Sequence, residues 1–136
     1  MQIFIIEVFI YFIFDWYCYI YNMQVVFQIT TAGEDMHKAM LGQIRNLLTY
    51  AAGKGQAVRV EVIVHGGAWP LLMHDSPSAN AVAVLAQDKV AWLICRNTMN
   101  SQHVTESELL PFVEIVPAGV GHLVERQMEG WAYIRC

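Results

Sequence analysis

The sequence predicts an α/β fold: a mainly parallel, five-stranded sheet with helices on both faces. Three observations carry that prediction. Five short runs rich in β-branched and aromatic residues recur between residues 23 and 136, each of strand length. Stretches with helical character separate most of them, and strand–helix alternation with short loops is the pattern of a parallel sheet. Glycine or proline marks most of the junctions, as breaks between regular elements require.

The elements follow in order. Residues 23–30 alternate as an amphipathic strand. Thr31-Ala32-Gly33-Glu34 has the spacing of a capping box and predicts a helix start. Met36, Met40, Ile44, Leu47, Leu48 and Ala51 then form an apolar stripe at helical spacing, which Gly53-Lys54-Gly55 ends. Residues 57–64 alternate and then turn wholly apolar, the mark of a strand entering a buried sheet. Pro70 suits the first turn of a short helix through Leu71, Leu72 and Met73. Residues 78–87, rich in alanine and valine, predict another helix, and residues 90–95 a third strand. Thr105-Glu106-Ser107-Glu108 repeats the capping-box spacing before Pro111. Residues 113–116 are a fourth strand with Pro117-Ala118-Gly119 as its exit. Residues 120–129 predict a helix with Val120, Leu123, Val124 and Met128 inward, and after Gly130 residues 131–135 make the last strand.

A chain of 136 residues forms one domain large enough to bury a core. A net charge of -4 with 8 Lys and Arg speaks against nucleic acid as a partner, which needs a clustered basic footprint. Cys18, Cys95 and Cys136 are odd in number and contain no CxxC, so neither a disulfide framework nor a zinc motif is predicted. A reducing, cytoplasmic location fits them. Residues 1–22 are crowded with aromatics and isoleucine and reach the roughly 20 residues of a membrane span. No Lys or Arg precedes or interrupts them, and Glu7 and Asp15 would each cost about 2.5–3.5 kcal/mol at a helix centre. Residues 1–22 are therefore expected to be a hydrophobic extension outside the fold, with Met23 as the native start and 23–136 as the domain. The alternative is a membrane anchor, with the protein held at a membrane.

Right-handed crossovers put every strand's exit on one edge, the edge where open α/β sheets bind ligands. It gathers Thr30-Thr31, His65-Gly66-Gly67, Cys95-Arg96-Asn97-Thr98 and Pro117-Ala118-Gly119. Cys95 stands where an apolar strand gives way to a polar loop. Two readings of it stay open: a small buried hydrophobe, or a thiolate favoured by the neighbouring Arg96.

Four segments resemble a known family: the first strand with its helix through Arg45-Asn46-Leu47-Leu48; His65-Gly66; Cys95-x-Asn97-Thr98-Met99; and Val116-Pro117-Ala118-Gly119-Val120 leading to Gln127-x-Glu129-Gly130-Trp131-Ala132-Tyr133-Ile134. Together they resemble the DsrE/DsrF-like family of small proteins of intracellular sulfur metabolism. The resemblance covers nearly all of 23–135 and implies a three-layer α/β/α sandwich and a homotrimer or homohexamer. It also implies a sulfur-relay or sulfurtransferase-like role, with Cys95 carrying sulfur as a persulfide between donor and acceptor proteins. If strand five lies beside strand one, as the family implies, Cys95 and Cys136 stand about three strand spacings of roughly 4.8 Å apart. That exceeds the roughly 7 Å limit for a disulfide within one chain.

Around Cys95, Arg96 would stabilise the anion while Asn97 and Thr98 donate hydrogen bonds, or the three are a polar turn. His65, Gly66 and Gly67 would bring a proton carrier and backbone donors to a ligand, or form a tight loop. Asn46, mid-helix among apolar residues, either bonds to a loop or reaches the site edge. His37, His74, His103 and His122 lack metal-motif spacing, so no metal is predicted, and no cofactor. Trp69, Leu72, Met73 and Met99 lie around the active edge, where a monomer would leave them wet; this is the sequence's own motive for a homo-oligomer. Two function classes remain: a sulfur carrier using Cys95, and a non-catalytic small-ligand-binding or assembly module.

Overall fold

Five strands, β1 (Met23–Ile29), β2 (Val58–Val64), β3 (Ala91–Cys95), β4 (Glu114–Val116) and β5 (Ala132–Arg135), pair in the order β4-β3-β2-β1-β5. All four pairings are parallel. The computed structural model describes residues 23–136; both expectations for residues 1–22, and Cys18, lie outside the described residues. Among the described residues four α-helices accompany the strands: α1 (Glu34–Gly53), α2 (Ala79–Gln87), α3 (Arg96–Gln102) and α4 (Gly119–Met128).

The three-layer sandwich follows from the strand order. The connections from β1 to β4 step along the sheet in one direction and cover its first face. There Phe27, Ile29, Val62, Trp92 and Ile94 pack with Met40, Leu41 and Ile44 of α1, Leu85 of α2 and Met99 of α3. The return from β4 to β5, beside β1, carries α4 over the second face, onto Val26, Ile63 and Leu93. With both faces covered, residues 60–64 are buried without a break, as central strands of a parallel sheet require.

Local readings needed correction in several places. α1 starts at Glu34 with Gly33 as its N-cap and no capping side chain; the Thr31 hydroxyl instead accepts the Gly33 N–H at 3.3 Å. The loop is pinned by His37, whose Nε2–H donates to the Thr31 carbonyl at 2.7 Å. His37 and Leu41 are buried on α1 while Met36 is exposed. The second capping box does form: Thr105 N–H donates to the Glu108 carboxylate at 2.8 Å. Pro70 sits inside a 3-10 segment, Gly66–Leu72, rather than opening a helix. Leu72, Met73 and Met99 are buried, and Trp69 packs against the same core. These side chains fold back onto their own domain, so the surface argument for assembly does not rest on them.

The largest departure is α4. Leu123 is buried, but Val120, Val124 and Met128 are 61%, 51% and 83% exposed. A charge sets this orientation. Glu61, buried on β2, accepts Arg126 Nε–H at 2.9 Å, Arg126 Nη2–H at 2.8 Å and His122 Nε2–H at 2.6 Å. A buried carboxylate needs such partners, so the helix turns its 122–123–126 side to the sheet and its more apolar 120–124–128 side away. Trp131 closes the layer, its ring under Arg126 at 4.6 Å and Arg59 at 5.2 Å.

Candidate functional site

Cys95 ends β3 and is the N-cap of α3. The predicted loop after it is thus a helix, entered without an intervening residue. Its side chain points to the second face, because Leu93, two residues earlier, faces α4 and strand side chains alternate. There it meets the start of α4, where Gly119 N–H donates to Cys95 Sγ at 3.2 Å. Space around Gly119 is tight. A Cβ at that position would lie 3.1 Å from Ile63 Cγ2, 3.3 Å from Cys95 Cβ and 3.5 Å from His65 Cγ.

Burial pushes the Cys95 thiol up, since the residue is only 5% exposed. The amides of Gly119, Thr98 and Asn97 and the Thr98 hydroxyl outweigh that and hold it below the ordinary thiol range. Free N–H groups at helix starts stabilise a thiolate in this way. The α3 amides act on the charge, although the thiol makes no capping hydrogen bond to them. Thr98 Oγ accepts Gly66 N–H at 3.0 Å, which leaves the hydroxyl proton for sulfur. Cys136, by contrast, has its thiol raised by burial alone.

A cleft of about 420 Å³ opens at this edge, lined by His65, Cys95, Asn97, Thr98, Ser101 and the 118–120 turn. His65 has its imidazole shifted down by burial and by the Arg135 charge. Its Nε2 accepts Gln28 Nε2–H at 2.8 Å. Arg96 turns away from the sulfur: its guanidinium pairs with Glu106 at 3.0 Å. Asn46 is exposed on α1 and does not line the cleft. Gly66 reaches the site through its N–H, while Gly67 packs on the Thr30 carbonyl, 3.2 Å from where its Cβ would stand. The sequence reading singled out neither Gln28 nor the Gly119 amide. Among the described residues no three His, Cys, Asp or Glu side chains gather as a metal would require.

MTH1491, a protein of unknown function from Methanobacterium thermoautotrophicum, is 34% identical and superposes with a TM-score of 0.78, over 83% of this chain and 98% of that one. The chain belongs to the DsrE/DsrF-like family. Two further structures share the fold. BT1422 from Bacteroides thetaiotaomicron, of unknown function, is 16% identical with a TM-score of 0.66 (84% and 95% of the two chains). The ychN protein from E. coli is 12% identical with a TM-score of 0.59 (85% and 99%). No family model and no curated protein matches the chain. In this DsrE/DsrF-like domain the cleft lies at the carboxyl edge of the sheet, and among the described residues no helix is long and apolar enough to cross a membrane.

Proposed function

We propose that the protein is a sulfur carrier of the relay type, working in the cytoplasm and holding sulfane sulfur on Cys95. The observation that carries this reading is the Gly119 N–H on Cys95 Sγ at 3.2 Å, in an open cleft. Loading begins with attack of the Cys95 thiolate on the outer sulfur of a donor persulfide. A bond forms between Sγ and that sulfur, the donor's S–S bond breaks, and its electron pair leaves on the donor thiolate. The outer sulfur keeps its proton, and Cys95 becomes a persulfide. Unloading is the same exchange in reverse, with an acceptor thiolate attacking and Cys95 leaving. No net oxidant or reductant is needed. A leaving thiolate is better the lower its pKa, so the amides that favour attack also favour release.

Family membership supports this reading, as do Asn97, Thr98 and His65 around the sulfur. The burial of Cys95 favours the second reading, a ligand-binding or assembly module in which the thiol packs. Mass spectrometry of the intact protein before and after inorganic polysulfide separates the two. The carrier gains about 32 Da on Cys95, the mass of one sulfur atom, reversed by a small thiol and absent in Cys95→Ser. No gain supports the packing role.

A homo-oligomer, trimer or hexamer, belongs to the same proposal. Val120, Val124 and Met128 form its candidate interface, an exposed row beginning at the cleft.

A further inference from the structure

We propose that Gln28 and Tyr133 are positioning residues that hold His65 as the neutral Nδ1–H tautomer, ready to donate a hydrogen bond to the outer sulfur of a Cys95 persulfide. This rests on the carrier reading of Cys95, gives His65 a stated task in it, and adds roles for Gln28 and Tyr133, which the reading leaves unused.

Sheet register brings the group together. Tyr133 pairs with Val26, Gln28 with Ile63, and Ile63 with Leu93. Partners in a parallel ladder face the same side, and residues two apart on a strand do too. Tyr133, Gln28, His65 and Cys95 therefore come from four adjacent strands, β5, β1, β2 and β3, on the face that α4 covers.

The hydrogen bonds run one way along this row. The Tyr133 hydroxyl donates to Gln28 Oε1. With Oε1 so engaged the amide nitrogen faces His65, and Gln28 Nε2–H donates to His65 Nε2 at 2.8 Å. An amide nitrogen is a donor only, so Nε2 must be the bare nitrogen and a neutral ring carries its proton on Nδ1. Burial and Arg135 favour the neutral ring. The titratable or charged groups around it are Arg135 and Tyr133 from β5 and Cys95 from β3; α3 contributes the Thr98 hydroxyl. On α4, Gly119 abuts the ring and carries no charge, and His122 is engaged by Glu61.

The chemistry needs a donor at this place. Once loaded, the Cys95 persulfide releases the proton of its outer sulfur to solvent, and an outer sulfur that carries negative charge repels an acceptor thiolate. An N–H beside that sulfur draws off charge and lets the new S–S bond form as the bond to Sγ breaks. His65 keeps its proton throughout and acts as neither base nor acid. The ring wall, the Gly119 amide and the sulfur share one corner of the cleft: His65 Cγ lies 3.5 Å from the Gly119 Cβ position, and Gly119 N–H lies 3.2 Å from Sγ.

The test uses the full chain. Histidine ¹⁵N spectra should show His65 Nδ1 protonated and Nε2 bare; a protonated Nε2 in the neutral ring overturns the proposal. Gln28→Glu places an acceptor against Nε2. Below its His65 pKa both nitrogens carry protons and transfer proceeds. Above it the proton stays on Nε2 and Nδ1 loses its donor. The rate of sulfur transfer from polysulfide-loaded protein to free cysteine, as a ratio to the parent protein, should then fall as pH rises through that pKa. Gln28→Leu, which leaves Nε2 unpartnered, should slow transfer about tenfold, the scale of one hydrogen bond to a charged group. Normal loading with unchanged rates in both variants sinks this proposal alone. Failure of the parent protein to take up sulfur sinks the carrier reading and this inference with it.

Discussion

At the scale of single residues, Gly119 has two tasks: it lets α4 start against the sheet and it supplies the amide for Cys95. Gly119→Ala puts a methyl group 3.1 Å from Ile63, so the Ile63 side chain or the helix start must give by a few tenths of an ångström, and overpacking of this kind costs about 1–3 kcal/mol. Urea unfolding should read that loss, and the Cys95 thiol should titrate higher as the N–H···S bond lengthens. In the parent protein, iodoacetamide labelling of Cys95 should reach half its plateau at a pH below the ordinary thiol range, and that of Cys136 above it, following their opposite shifts. The midpoint is the informative quantity, because burial lowers the plateau. Cys95, Asn97, Thr98 and His65 were legible in the sequence, since strand exits converge on one edge whatever the packing detail. Gln28 was not: it looks like an ordinary polar position of an amphipathic strand, and its partner lies 37 residues away. The part of Arg96 stayed open in the sequence for a related reason. Adjacency in sequence does not say which way a long side chain turns, and Glu106 offers it an ion pair.

Among the elements, α4 shows what hydrophobic periodicity leaves out. Its apolar residues fall on two sides of the helix, and the choice between them is made by Glu61, a residue on another element. The Glu61 carboxyl feels burial, which raises it, and the opposing hydrogen bonds and charges of Arg126 and His122, which win and leave it lowered. A carboxylate whose folded pKa is depressed stabilises the protein above its unfolded pKa, ordinarily about 4.3. That stability is lost as pH falls through the folded pKa. Glu61→Gln should therefore destabilise the domain at pH 7 by about 3 kcal/mol, the lower end for breaking a buried pair. The gap to the parent should narrow below pH 4, as chemical denaturation across pH would show. An equal loss at pH 3 and pH 7 would mean that packing, not charge, holds the helix. The pattern was visible in outline, with His122 and Arg126 four residues apart and Glu61 at an inward strand position. Connecting them required the strand register.

For the whole molecule, the fold class, the five strands and their shared exit edge could be read from the chain because alternation and turn residues act locally and agree with one another. What faces outward could not, because that depends on which helix lies where. The expected wet residues near the edge are in the core, and the exposed apolar row is on α4. If that row is the assembly surface, Val124→Glu should convert the oligomer to monomer in light scattering at micromolar concentration, with little loss of folding stability. An unchanged mass would place the interface elsewhere. The described residues 23–136 form a five-stranded sheet with packed layers on both faces. A chain begun at Met23 should accordingly melt in one cooperative transition, and aggregation of that chain alone would contradict the extension's dispensability.

The last strand docks beside the first, and this orders events during synthesis. Residues up to Val116 can close the first face while the ribosome is still adding the rest, at about 5–20 residues per second. Until α4 emerges, however, Val26, Ile63 and Leu93 stay wet and Cys95 lacks the Gly119 amide. The nascent thiol has only the α3 amides and the Thr98 hydroxyl beside it, and the Gly119 N–H joins them when α4 closes over the second face. Of the groups around Cys95, the Gly119 amide is therefore the one whose arrival reports that the second face has closed.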